Sequence, residues 1–275
     1  MLPLPLVRLT MRYVMRTVYG PPFPVRVQRR VGDAMARFQP IPRSVDVRDV
    51  VLGGRPARRY AGPAASADGA VLWVHGGAFV TGSYATHGSL AAHLALAAGA
   101  PVYLLDYRLA PEHQHPSAVD DVVAAVVMVP EDRVVLGGDS AGGCLALLAA
   151  ARSERVVGLA LVSPLVDLTR ASGQAWTGKD ILIRDAWGRA GIAAVFGADL
   201  PDVPDPGVPT VVHVAEHERL RPEGEALARR LGAEPVVVPG AWHDIHLQAG
   251  LLKVAARAVE QLGESVRGHL SATPR

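Results

Sequence analysis

The chain is 275 residues long, 49% hydrophobic and 20% charged, with 28 basic against 26 acidic side chains. That composition can bury a sizeable core and excludes a disordered chain, while a net charge of +2 gives no signal for nucleic acid or an acidic substrate as partner. The single cysteine, Cys144, excludes an intrachain disulfide.

The first stretch, "MLPLPLVRLTMRYVMRTVYG", threads Arg8, Arg12 and Arg16 through apolar positions. A signal peptide needs an uninterrupted apolar run, so this stretch predicts an amphipathic helix and the chain is expected to be cytoplasmic. No apolar run reaches the roughly 18 residues of a membrane span, so no stable membrane insertion is expected. Residues 45–61 hold two strand-like pieces about Gly53–Gly54 and predict a β-hairpin. Short Val-rich runs follow at 70–75, 101–105, 132–136, 156–162, 210–215 and 234–238. Their lack of strict alternation is how strands buried on both faces of a parallel sheet read. Helical patterns at 88–98, 117–128, 141–152, 222–232 and 247–262 lie between several of them. The fold class is therefore α/β, a mostly parallel doubly wound sheet that binds ligands at the carboxyl ends of its strands. Residues 1–40 and 164–204 fall outside the alternation and read as cap segments of a single domain spanning 1–275.

One hydroxyl, Ser140, stands in "GGDSAGG" (137–143) where the strand 132–136 must turn into a helix. A tight turn there lifts the serine above the sheet in a strained conformation, and Gly138 and Gly142 remove collisions with the flanking strand and helix. The bland alternatives are an ordinary glycine-rich strand–helix turn and a phosphate-binding loop, and the Lys of the latter is missing. In "VHGGA" (74–78), Gly76 and Gly77 can offer backbone N–H groups to a developing oxyanion, with Ala141 as a third donor. His75, beside them, reads as a structural group that shapes the loop. A serine needs a base. His243 in "PGAWHDIH" projects from the same sheet edge, with His246 as its rival, while His87 and His213 read as surface or core residues. Glu216 and Glu218 both end the strand 210–215, and either could orient the imidazole.

Four stretches, "HGGAFVTGS" (75–83), "DYRLAPEH" (106–113), "GDSAGG" (138–143) and "SPLVDLT" (163–169), together resemble the bacterial branch of the hormone-sensitive lipase family. The resemblance covers roughly residues 20–265. It implies an α/β-hydrolase fold with a small helical cap, hydrolysis of short- to medium-chain acyl esters as small-molecule substrates, and no metal or organic cofactor. Residue by residue it implies Ser140 as nucleophile, His243 as base, and Gly76, Gly77 and Ala141 as oxyanion donors. It puts Glu218 in the acid's place, because "ERLRPEG" (218–224) matches the family's acid-bearing run. Asp106, Arg108 and Glu112 are implied as supports behind the reacting groups, where His75 and Asp139 are also expected. Asp244 stands where the family usually has Gly and is expected to face water. An amidase or deacetylase on an acylated small molecule would use the same machinery. A non-catalytic, receptor-like binder would lack the histidine that is present here. Phe23, Phe38, Trp176, Trp187 and Phe196 are candidates for the acyl pocket or the cap core, Cys144 is expected to be buried without chemistry, and a homodimer is left open.

Overall fold

Gly53 and Gly54 take positive φ angles of 57° and 78°, as a tight two-residue turn requires. The flanking runs close into the expected hairpin, β1 (Asp46–Leu52) antiparallel to β2 (Arg55–Ala61). The structure, a computed structural model, describes residues 1–66, 68–171, 173, 176, 178 and 180–272. Positions 172, 174, 175, 177 and 179, inside the second expected cap segment, lie outside the described residues.

The six Val-rich runs form β3 (Gly69–Val74), β4 (Val102–Leu105), β5 (Arg133–Asp139), β6 (Val156–Val162), β7 (Thr210–His217) and β8 (Val236–Trp242). The sheet order is β1-β2-β4-β3-β5-β6-β7-β8. Only the two pairings of β2 are antiparallel; the others run parallel. Strand β3 shows why alternation was absent from the sequence. Ala70, Leu72 and Val74 pack on one face with α5 (Ser117–Met128) and α6 (Ala141–Ala150), and Val71 and Trp73 pack on the other with α4 (Tyr84–Ala98) and α9 (Lys253–Ser271). Both faces are buried, so both need apolar side chains. The chain visits β3, then β4 on one side, then β5 on the other. That reversal opens a crevice at the carboxyl ends of β3 and β5, which "HGGA" and "GDSAGG" both enter.

Helix α4 starts on Ser83, which exchanges hydrogen bonds with Thr86 in a capping box. Helix α8 (Arg221–Arg230) follows β7. The last helix differs from expectation. Residues 245–248 form a 3₁₀ turn and α9 begins only at Lys253; between them Gly250 lies so close to Pro40 that an added Cβ would sit 2.6 Å from Pro40 Cγ. No helix among the described residues is long and apolar enough to cross a membrane.

The segments outside the alternation are helical. The N-terminal run is α1 (Leu4–Thr10), a π-helical turn (Met11–Met15) and α2 (Arg16–Val18), followed by α3 (Val25–Ala36). Val7, Met11 and Met15, four residues apart, bury the inner stripe against Leu182, Trp242 and Ile245. The second segment supplies a 3₁₀ turn (Leu168–Ala171) and α7 (Asp185–Phe196).

Candidate active site

Ser140 caps α6 with φ 51° and ψ −119°. Such a conformation costs a non-glycine residue about 1–3 kcal/mol, and the surrounding glycines make it attainable. A Cβ on Gly138 would approach the Gly142 carbonyl oxygen to 2.5 Å, and one on Gly142 would overlap the carbonyl of Val74. Ser140 opens on a cavity of about 60 Å³ whose wall also includes Gly77, His243, Asp244, Tyr19 and Trp187. The cavity is thus formed by the loops after β3, β5 and β8 and closed by both segments outside the sheet.

His243 is buried, and its Nδ1 donates to Glu218 Oε2 at 2.7 Å. Glu218 is fixed in turn, because its Oε1 accepts the Ala215 N–H at 2.6 Å. A register shift between Ala215 and His217 at the end of β7 accompanies the turn that brings the longer glutamate to the imidazole. Glu216 is exposed and accepts the Gly240 N–H instead. His246 is buried with Nε2 3.1 Å from His213 Nδ1, away from the cavity lining. Of the two pairs the sequence left open, Glu218 and His243 are the members that meet.

Two expectations are corrected. Gly76 is no free donor: its N–H donates to Asp139 Oδ2 at 3.0 Å. The N–H groups of Gly77, Ala78 and Ala141 have no partner among the described residues. Ala78, missed at first, sits at φ 52°, a strained value that an alanine in the glycine loop does not advertise. Asp244, for its part, does not face water. It is buried, lines the cavity, and places Oδ2 3.0 Å from His243 Nε2. Its Oδ1 is buried without a partner. Ser140 Oγ has no hydrogen-bond partner among the described residues.

The supporting residues do separate jobs. His75 Nδ1 donates to the Gly76 carbonyl at 2.9 Å, and its ring stacks on Tyr107, whose hydroxyl donates to the His75 carbonyl. Burial, aided by His87, pushes its pKa down to about 3, so the ring is neutral and Nδ1 carries the proton. Asp139 accepts from Trp73 Nε1 and Gly76 N and pairs with His87 Nε2 at 3.0 Å, tying β3, β5 and α4 together beneath the cavity. His87 therefore belongs to the cavity wall, a place its position in the second turn of α4 concealed. Asp106 accepts the Tyr84 N–H at the start of α4. Arg108 forks onto Asp121 rather than onto Asp106 or Glu112, and Glu112 takes Arg29 of α3.

A family model described as alpha/beta hydrolase fold matches residues 71–247. The chain belongs to that family. This hydrolase is 34% identical to the esterase LipU of Mycobacterium tuberculosis over 74% of this chain and 80% of that protein. An acetyl-hydrolase of Streptomyces hygroscopicus is 33% identical over 80% and 82%. Among solved structures, an esterase from the bacterial hormone-sensitive lipase family superposes with a TM-score of 0.87 at 28% identity, covering 98% of this chain and 100% of that one. The resemblance read from the four motifs is thus the family to which the hydrolase belongs.

Within the hydrolase cavity the electrostatics centre on His243. Burial opposes its charged form, but the charge of Asp244, then the hydrogen bond and charge of Glu218, outweigh it and raise its pKa well above the ordinary imidazole value. Burial pushes the Asp244 carboxyl up to about 7 against the pull of His243. The pair shares a proton and titrates as a unit. Cys144 is buried in α6, where burial pushes the thiol up to about 12, so it takes no part.

Proposed function

We propose that this carboxylic ester hydrolase cleaves short- to medium-chain acyl esters through an acyl-enzyme. The observation that carries the reading is a strained serine and a buried imidazole on one cavity, with a pinned carboxylate holding the imidazole from behind. Ser140 Oγ attacks the carbonyl carbon while His243 Nε2 takes its proton, and Glu218 keeps the imidazole's Nδ1 protonated and steadies the cation. To accept that proton, Nε2 first leaves Asp244. The N–H groups of Gly77, Ala78 and Ala141 receive the oxyanion; one such donor contributes roughly 3 kcal/mol to the transition state. His243 then protonates the departing alcohol. Water, activated by the same imidazole, splits the acyl-serine to the free acid and restores the hydroxyl.

The cap in this reading is residues 1–40 and 164–204 on a single hydrolase domain. An apolar cavity of about 350 Å³ adjoins the catalytic one, and the two share Tyr19, Thr86, Leu182 and Leu247 in their walls. That adjacency supports acyl chains longer than acetyl. Of the five cap aromatics, Trp187 lines the catalytic cavity, Phe38 borders the apolar one, and Trp176 instead donates Nε1 to Glu223. The test is hydrolysis of p-nitrophenyl acetate and butyrate: Ser140→Ala reduces turnover to the background rate, and unchanged turnover rejects the assignment.

A further inference from the structure

The N-terminal helical run is apolar on two opposite sides. Val7, Met11 and Met15 face the protein. On the outer side Leu6, Leu9 and Tyr13 are 53%, 51% and 63% exposed, and Leu2 beside them is 46% exposed. Nothing in the fold requires that outer ridge, and its exposure to water costs free energy that burial would recover. Next to it runs a cationic stripe. Arg8, Arg12 and Arg16 recur one helical turn apart and, with Arg219 and His217, line a cleft of about 470 Å³. Arg16 is anchored, donating to the carbonyls of Asp180 and Ile183. No described carboxylate pairs with Arg8 or Arg12. The carboxylate of Asp180 in the cleft is already engaged by the N–H groups of Leu182, Ile183 and Arg219. Like charges one turn apart repel, so the stripe is an unfavourable arrangement that a surface of negative charge would relieve.

We propose that this face docks on a bilayer carrying anionic headgroups, with Leu2, Leu6, Leu9 and Tyr13 entering the interface and Arg8 and Arg12 holding the headgroups. An amphipathic helix of this kind lies in the plane of the interface rather than spanning it, and tyrosine suits the headgroup level. A second copy of the chain is the weaker occupant. Two-fold packing sets the same face against itself and would bring Arg8 and Arg12 of both copies, which have no described carboxylate partner, together. The position of the ridge fits a lipid source as well. Leu2, Leu6 and Phe38 border the 350 Å³ apolar cavity, so, on the ester-hydrolase reading, an acyl chain leaving the bilayer meets an apolar path toward Ser140. The docking itself does not rest on that reading.

The test is co-sedimentation of the full chain with vesicles of pure phosphatidylcholine, or of phosphatidylcholine with about one third phosphatidylglycerol. The protein is expected to pellet with the anionic vesicles only and to be released by high salt. Leu9→Glu with Tyr13→Glu, and separately Arg8→Glu with Arg12→Glu, each lower the partition coefficient at least tenfold. All four side chains are exposed, so melting temperatures should not move; the salt titration of the unaltered protein gives an independent reading if a variant misfolds. Equal pelleting with both vesicle types, or none with either, overturns the proposal. So does a dimer that light scattering detects and Leu9→Glu with Tyr13→Glu dissociates, without vesicle binding.

Discussion

Replacing Asp244 by Gly isolates the contact that stands between the proposed base and its serine. The Asp244 carboxylate holds His243 Nε2 at 3.0 Å, the nitrogen that must take the Ser140 proton. The two side chains meet as a buried ion pair, and a close charge pair couples by about 1.5–3 kcal/mol at the lower end of its range. If Ser140 must displace it before reacting, its removal raises kcat/KM by a factor of roughly 10 to 150. The gain depends on pH in a defined direction. Asp244 raises the pKa of His243, so the imidazole stays protonated, and useless as a base, to higher pH than an ordinary histidine. Activity of the unaltered protein therefore climbs on an ascending limb above the usual imidazole range. The substitution moves that limb down, and the two profiles converge at alkaline pH, where the imidazole is neutral in both. Residue 244 sits at φ 54° and ψ 36°, a left-handed conformation that glycine adopts without strain, so the variant should fold. Asp244→Asn, which keeps a hydrogen-bonding oxygen but no charge, should move the limb in the same direction and raise the neutral-pH rate less. The assay is a pH profile of kcat/KM on p-nitrophenyl butyrate. A ratio of variant to unaltered enzyme that is constant across pH, or lies below one throughout, refutes the reasoning.

Glu218→Gln keeps the shape but loses the charge that orients His243, and kcat is expected to fall by about 10⁴-fold with KM little changed, measured by steady-state kinetics. Gly142→Ala drives a Cβ into the Val74 carbonyl; urea unfolding should show a loss of at least about 1–3 kcal/mol, and an unchanged midpoint would mean that the turn at Ser140 leaves room for a side chain there. A series of p-nitrophenyl esters should gain about fourfold in kcat/KM for each added methylene, the effect of burying about 0.8 kcal/mol of apolar surface, until the apolar cavity is filled. A flat series would place the acyl chain elsewhere.

The sheet was legible because its strands obey a rule that acts locally. A strand buried on both faces must be apolar throughout, and Val71 to Val74 carry that requirement in four consecutive letters. The turn at Ser140 was legible for the same reason: the overlap that a side chain at Gly142 would suffer with Val74 is written into the sequence as a glycine two residues past the serine. What escaped depends on contacts between distant loops. Whether Gly76 donates to an oxyanion or to Asp139 is decided by a carboxylate 63 residues further along. The fate of Asp244 was hidden differently. A residue beside the proposed base reads as solvent-facing only if its loop is open, and here Tyr19, Leu182 and Trp187, from the two segments outside the sheet pattern, roof the cavity. Under that roof the carboxylate is largely withdrawn from bulk water, and the nearest cation to offset its burial is the imidazole.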